Sequence, residues 1–360
     1  MSEPRSYRVS WRPAAPFGPL TASAVFGALC WAWRDLFGAG ALADLLSSFS
    51  DGEPAFRLSE PAPFQGARNP VRFLPAPVLP GPDLARYSHD HALALSASRR
   101  WHRLGGIQWI SEDLLGTLAH GTVSRHRILE ETTFAGARSR EVAEVRCVAF
   151  REWWMTRDEF LRLPVDAAGR RWAPWQAFEQ RRFGGRGCSA GGFRAGGWTA
   201  HGGGVHLRLA CGEAALERLE PAFSYLGRTG IGRRRSTGWG RFEALSIDPA
   251  EVLSPVSGAV AWMTLTRAIP TPEEASALAA SERSSYALLR YEGRLGEARP
   301  GDDASKAPVW CLQAGSILER PIEGRCPVVR RDGDVEVVQY GVAINVPVAG
   351  TVIGPAAVAS

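Results

Sequence analysis

Residues Gly227 to Phe242 read GRTGIGRRRSTGWGRF, with five glycines and five arginines in one short run. Guanidinium groups present a planar fork that matches phosphate oxygens and stacks on bases. A glycine-rich backbone can turn successive N–H groups outward as an anion nest. Arg228, Arg233, Arg234, Arg235 and Arg241 are therefore candidate phosphate ligands, and Gly227, Gly230, Gly232, Gly238 and Gly240 shape the loop. Ser236 and Thr237 are short hydroxyl donors, and Trp239 offers a plane on which a base can stack. Two familiar phosphate loops do not fit. No Lys-Ser/Thr pair follows the glycines, and the element order is helix–loop–strand, the reverse of a dinucleotide fingerprint. The run reads as a cradle for a nucleic-acid backbone; the competing reading is a solvated turn whose arginines serve solubility.

Other constellations carry less chemistry. His126 lies between Arg125 and Arg127, where a general base and a phosphate clamp could meet, so a ribonuclease is the rival class to a binding protein. His89-Asp90-His91 would put two imidazoles on one face of a strand but not of a helix, and no third ligand follows at a familiar spacing. Gly187-Cys188-Ser189-Ala190-Gly191 fits G-x-S-x-G but lacks the strand-to-helix elbow that makes the serine a nucleophile. Asp302-Asp303 has no converging carboxylates for a two-metal site. The expectation is no metal, no cofactor and no catalysis.

Composition agrees with a nucleic-acid partner. The chain has 360 residues, a formal charge of +5 and 13 tryptophans, and Lys306 is its single lysine among 42 basic residues. An Arg-dominated, Trp-rich basic chain leans towards nucleic acid. Six widely spaced cysteines without a C-x-x-C pair read as reduced thiols. The apolar run Leu20–Trp33 is preceded by three prolines, is interrupted by Arg34 and Asp35, and is too short to span a bilayer. The expectation is a cytoplasmic protein with no membrane partner.

These residues need elements to hold them. Tyr7–Arg12 alternates as a strand, and Thr21 or Ser23 caps a helix through Val25, Phe26, Leu29, Trp33 and Phe37, closed by Gly38 and Gly40. That helix is apolar nearly all round, so it is expected to be covered on more than one side, with Trp31 and Trp33 in the core. A short helix over 41–49 and a strand at 56–59 follow. The proline passage PAPFQGARNPVRFLPAPVLPGP is expected to lie extended over a surface, neither helix nor central strand. Residues 89–203 read as a large insertion holding a helix end at 115–120, a protruding hairpin of strands at 123–129 and 142–150, and a basic, glycine-rich tract. Strand Val205–Leu209, helix Glu213–Leu226 and a strand from Arg241 complete a βαββαβ, ferredoxin-like unit over 1–250. Residues 251–360 read as a second, degenerate copy: a strand at 259–266, a helix at 272–280, and strands at 286–291, 309–312, 335–339 and 342–346. The fold class is α+β, two ferredoxin-like domains with a glycine-rich loop.

The glycine-rich loop GIGRRRSTGWGRF resembles that of the RAMP proteins, the repeat-associated subunits of CRISPR effector complexes. FGPLTASAVFGALCWAW resembles the family's first helix and lead-in, FRLSEPAPF and FLPAPVLP its next strand and proline run. AGSILE and VQYGVAINVPV resemble the closing motifs of the fourth subunit of the Csm, type III-A, complexes. In the hairpin the family shows an Asn/Asp-Arg-Thr pattern where this chain has SRHRILEETTF. The resemblance implies a non-catalytic subunit at one end of a ribonucleoprotein filament. It would hold the 5′ handle of the guide RNA, dock the large palm-domain signalling and DNase subunit, and touch the backbone RAMP subunit. A single-stranded handle implies stacking and base-edge contacts, with Trp239, Phe17, Trp172, Trp175 and Phe183 as candidates. It adds Thr21 and Ser23 of the lead-in, and Arg125, His126 and Arg127 of the hairpin, to the RNA-binding set. The alternative it carries is a metal-independent RAMP endoribonuclease that cuts precursor RNA with a histidine.

Overall fold

The computed structural model describes residues 4–14, 20–65, 70–79, 89–104, 107–120, 132–135, 144–147, 154–156, 204–232, 235–250, 259–293, 305–332 and 335–349. The first part of the chain runs β1 (Arg5–Pro13), α1 (Ala22–Ser50), β2 (Phe56–Leu58), β3 (Ala62–Gln65), β4 (Val71–Pro75), α2 (His91–Leu104), β5 (Ile107–Ser111), α3 (Glu112–Ala119), β6 (Thr132–Ala135), β7 (Glu144–Cys147) and β8 (Trp154–Thr156). It continues as β9 (Gly204–Cys211), α4 (Glu213–Thr229), a 3-10 turn (Arg235–Thr237) and β10 (Phe242–Pro249). The second part runs β11 (Ala261–Thr264), α5 (Pro272–Ala280), β12 (Leu288–Tyr291), β13 (Val309–Leu312), β14 (Ile317–Leu318), β15 (Val328–Asp332), β16 (Val335–Val338) and β17 (Asn345–Val348). The class is α+β.

Alternation along β1 decides the two faces of the main sheet. Tyr7, Val9 and Trp11 are buried, whereas Arg8, Ser10 and Arg12 lie on the other face. The sheet order is β10-β1-β9-β3-β4-β5-β8, with β2 also on β9, and every described pairing is antiparallel. At the centre of this sheet β1 lies between β10 and β9, and α1 packs beside α4. Trp11 sits between Phe223 of α4 and Phe242, with ring centroids 6.4 and 5.2 Å away.

Thr21 caps α1, its hydroxyl accepting from the Ala24 N–H at 3.1 Å. The helix is continuous from 22 to 50 except at Gly38, whose φ of 91° breaks it at the expected place, so that the second short helix is the far arm of a kink. The near arm is covered on two sides, as its all-round apolarity requires. Val25, Phe26, Leu29 and Trp33 are buried, and Phe26 stacks against Tyr340 of the second part at 5.0 Å. Trp31 departs from expectation: it is half-buried, with the Arg34 guanidinium 4.1 Å over its ring.

The proline passage is not a surface strap. It supplies β3 and β4, inside the main sheet. The prolines are tolerated by register: β3 pairs with β9 over 62–64 and with β4 over 64–65, so Pro63 faces a ladder on one side only. Pro75 closes β4. The insertion likewise starts within the sheet, since β5 pairs with β4 and β8 with β5. Its hairpin exists as β6 paired with β7, later in sequence than expected for the first strand. The segment 123–129 and the glycine-rich tract lie outside the described residues. Asp90 is neither ligand nor strand residue: it opens α2, its carboxylate accepting from Ala92 and Leu93 N–H groups at 2.9 and 3.0 Å.

The second part departs further. Its sheet is β14-β11-β17, with Ser285 bridged to Ile317, and β12-β13 and β15-β16 form separate ribbons. One helix, α5, is present among its described residues, opened by a capping box between Thr271 and Glu274. Between β14 and β17, where a second copy would carry its second helix, stands the β15–β16 ribbon. The tail after Gly350 lies outside the described residues.

The interior crosses the boundary near residue 250. Tyr340, Val342 and Cys326 belong to the same core as Phe26, Phe49 and Phe56. The Leu58 N–H donates to the Tyr340 hydroxyl at 2.5 Å, Thr266 donates to the Leu58 carbonyl at 2.9 Å, and Arg57 pairs with Glu323. Glu60 is buried in this seam and accepts from the N–H groups of Ala22 and Arg267, both at 3.3 Å. Burial pushes its carboxyl pKa up, partly countered by the Arg267 charge and these two bonds.

Candidate nucleic-acid interface

The glycine-rich loop joins α4 to β10 and is folded back on itself. The last turn of α4 ends at Gly230 (φ 89°), whose N–H donates to the Leu226 carbonyl at 2.7 Å. The Ile231 N–H then donates to the Gly240 carbonyl at 3.0 Å, and the Ile231 side chain is buried. A β-carbon on Gly240 would stand 2.0 Å from the Ile231 oxygen, so the approach of the two strands of the loop requires glycine there. The tip is a 3-10 turn, closed by the Gly238 N–H donating to the Arg235 carbonyl at 2.9 Å.

This closure changes how the loop can hold an anion. Three of the N–H groups that a nest would use, on Gly230, Ile231 and Gly238, are consumed inside the loop. The helix terminus here is a carboxyl end, which repels negative charge. With these N–H groups spent, the guanidinium groups are the loop's strongest remaining anion donors. Arg228, in the last turn of α4, and Arg241, at the start of β10, are exposed. The Arg241 guanidinium lies over Gly238, 3.9 Å from where a β-carbon would be. Arg235 is half-buried at the opening of the 3-10 turn, Ser236 is exposed beside it, and Trp239 is half-buried between Gly238 and Gly240. Thr237 closes the turn. Gly232 is exposed with a φ of 87°.

The remaining candidates divide. Arg233, Arg234, Phe17, Arg125, His126 and Arg127 lie outside the described residues. Thr21 and Ser23 are engaged in bonds that hold the fold. Thr21 caps α1, and the Ser23 hydroxyl accepts from the Gln339 side chain at 2.6 Å and donates to the Tyr340 carbonyl at 3.3 Å. The Ser23 hydroxyl thus joins the two parts of the chain.

The structure adds basic residues that the sequence reading passed over. On the face of the sheet opposite α1 and α4, Glu112 of α3 pairs with Arg208 at 2.6 Å and with Arg8 at 3.3 Å. His206 is fully buried beneath them, with Nε2 2.8 Å from the Phe73 carbonyl. Burial, then the charges of Arg208 and Arg8, hold its pKa well below the usual imidazole value, so it is neutral. Arg12 and Arg72 line an open groove nearby. The period-two alternation of YRVSWR and VHLRL already carried this signal, because the residues between the apolar ones share the second face.

Comparison with known proteins follows the same direction. A family model described as the CRISPR Csm4 C-terminal domain matches residues 257–348. Curated proteins named "CRISPR system Cms protein Csm4", from two strains of Mycobacterium tuberculosis, are 29% identical over 115 residues. The match spans 32% of this chain and 37% of the relatives' length, about a third of each. Among solved structures, the fold is similar to a chain of a "Csm3-Csm4 subcomplex in the type III-A CRISPR-Cas interference complex" (TM-score 0.54, 15% identity, covering 95% of this chain and 99% of that one). It is also similar to a chain of a "Csm1-Csm4 cassette in complex with pppApA" (TM-score 0.50, 17% identity, 96% and 98% covered). Residues 257–348 thus match the Csm4 C-terminal domain, and the chain is similar to Csm4 proteins in sequence over about a third of its length and in fold over nearly all of it.

Proposed function

We propose that the chain is the guide-RNA-binding end subunit of a type III-A Csm complex, built on two ferredoxin-like domains of which the second is degenerate. The Arg-rich loop grips the sugar-phosphate chain of the 5′ handle. The subunit docks a large Csm1-type protein on one side and a Csm3-type backbone subunit on the other, as the descriptions of the related structures suggest. The carrying observation is the loop itself: a closed, glycine-determined turn that presents Arg228 and Arg241 to solvent with Trp239 between two glycines. In this arrangement base pairing by the guide reads the target, while protein holds the guide by its backbone. The role is binding, without cleavage.

The test is salt dependence. Binding of a single-stranded handle RNA to the purified chain should weaken as salt rises, and log K against log salt should lose about 0.7 in slope for each phosphate contact removed. Replacing Arg233, Arg234 and Arg235 together by glutamine should flatten the slope. An unchanged slope sinks the loop assignment. Cutting of repeat RNA by the purified chain, abolished by His126→Ala, would replace the binding subunit with the ribonuclease.

A further inference from the structure

The second face of the main sheet holds a groove of about 160 Å³ that the loop does not form. Its walls are Ser10 and Arg12 of β1, Phe64 of β3, Arg72 of β4, and Ser246 and Asp248 of β10. It begins where the loop ends. Arg12 stands opposite Glu243, and the Ala14 N–H donates to the Arg241 carbonyl at 3.0 Å, so the groove and the loop share one edge of the sheet.

Three features mark it as built for a ligand. The first is the donor set. Arg12 and Arg72 form no ion pair among the described residues, although each has an acidic neighbour, Glu243 across the strand pair from Arg12 and Asp248 in the same groove as Arg72. Glu112, the remaining acid on this face, is engaged by Arg8 and Arg208. Around the groove, Arg8, Arg12, Arg72 and Arg208 stand among Glu112, Glu243 and Asp248, and His206 is neutral. Within the groove two guanidinium groups and two serine hydroxyls meet one carboxylate. Burial and then the neighbouring Arg8 charge lower the Arg72 pKa, which is the effect a bound anion would relieve.

The second feature is backbone strain at the groove. The β1–β10 register slips between Ser10 and Arg12, and in the resulting bulge Ala244 adopts a φ of 50°. A non-glycine residue there costs about 1 kcal/mol or more and persists where the surroundings fix it, commonly beside a functional site. The third is Asp248. A lone carboxylate beside two arginines suits a ligand that pairs an anion with a hydroxyl donor. A ribonucleotide has both, in its phosphate and its 2′-OH.

We propose that this groove seats one ribonucleotide of the RNA strand as it leaves the glycine-rich loop, with its phosphodiester on Arg12 and Arg72 and its 2′-hydroxyl donating to Asp248. The inference rests on the RNA-binding reading above and extends the contact from the loop to the sheet face.

The experiment compares three proteins, the wild-type chain, the loop triple variant (Arg233, Arg234 and Arg235 to Gln) and Arg12→Gln/Arg72→Gln, on one RNA oligonucleotide and its DNA counterpart. The groove variant should lower the RNA salt slope by about 0.7 to 1.4, additively with the loop variant. Arg12→Lys/Arg72→Lys, which keeps the charge, should restore most of it. Asp248→Ala should cut the preference for RNA over DNA by about threefold to tenfold and leave the salt slope in place. Melting temperatures check that each variant is folded. A groove variant with the wild-type slope, beside a loop variant that has lost slope, overturns the groove and leaves the RNA reading intact. Wild-type protein that binds no RNA overturns both. Binding of AMP or of an acidic peptide to the groove, with the RNA slope unmoved, assigns it to another ligand and equally overturns the proposal.

Discussion

Ile231 and Gly240 close the glycine-rich loop by a single backbone hydrogen bond of 3.0 Å, at a separation that leaves no room for a side chain on Gly240. The loop is thus closed as a fixed frame, and its glycines are not equivalent.

Gly240→Ala and Gly232→Ala separate the two demands on glycine. Both positions have positive φ, but a β-carbon on Gly232 meets nothing within 4 Å, whereas one on Gly240 meets the Ile231 backbone. Gly232→Ala should cost about 1–2 kcal/mol, the left-handed penalty alone. Gly240→Ala should cost clearly more and should weaken RNA binding at salt concentrations where Gly232→Ala does not. Urea unfolding and filter binding read the two effects.

Tyr340→Phe should destabilise the chain by about 1–3 kcal/mol, because it leaves the Leu58 N–H buried without its acceptor. The urea m-value should stay as in the wild type, since no packing surface is lost. A loss below a few tenths of a kcal/mol would mean the hydroxyl is not the link between the two parts.

Glu60 and His206 give opposite pH signatures. The Glu60 pKa is raised from 4.5 in the folded chain, chiefly by burial. Its contribution is fully present below 4.5 and is lost as pH rises through the folded value. The His206 pKa is lowered from 6.5, chiefly by burial. Its contribution is present above 6.5 and is lost as pH falls towards the folded value. Glu60→Gln should flatten the fall in stability on the alkaline side of 4.5, and His206→Gln the fall on the acid side of 6.5. Denaturation midpoints measured between pH 4 and 8 test both signs.

Ser23→Ala should weaken the seam without touching RNA. Its hydroxyl joins Gln339 and Tyr340, so the loss should appear as about 1 kcal/mol of stability with the RNA salt slope unchanged. A changed slope at normal stability would return Ser23 to the RNA-binding set.

What was legible followed local rules. Period-two alternation gave β1 and β9, the apolar helical spacing gave α1 and α4, and glycine at a helix end gave the loop between α4 and β10. Strands β3 and β4 were hidden by their prolines, because whether a proline can sit in a sheet depends on which side is laddered, and that is decided by residues far along the chain. The nest reading of the loop is narrowed for a related reason. Composition shows how many N–H groups a loop has, but only the Ile231–Gly240 closure shows how many are already spent. Thr21 was legible as a helix cap, but the partners that engage Ser23 lie more than three hundred residues later. Of the groove arginines, Arg12 was visible as an alternate residue of β1, whereas Arg72 was hidden with β4. They went unread because nothing local distinguishes an open sheet face from a covered one.

Tyr340, Val342 and Cys326 complete the interior that β1 and α1 begin. On the ribosome, therefore, the amino-terminal segment emerges long before its own core can close, with Phe26, Phe49 and Phe56 waiting on residues not yet translated. The amino-terminal apolar surface therefore stays uncovered until residues near 326–342 are in place, the kind of transient exposure that makes late-closing cores prone to association.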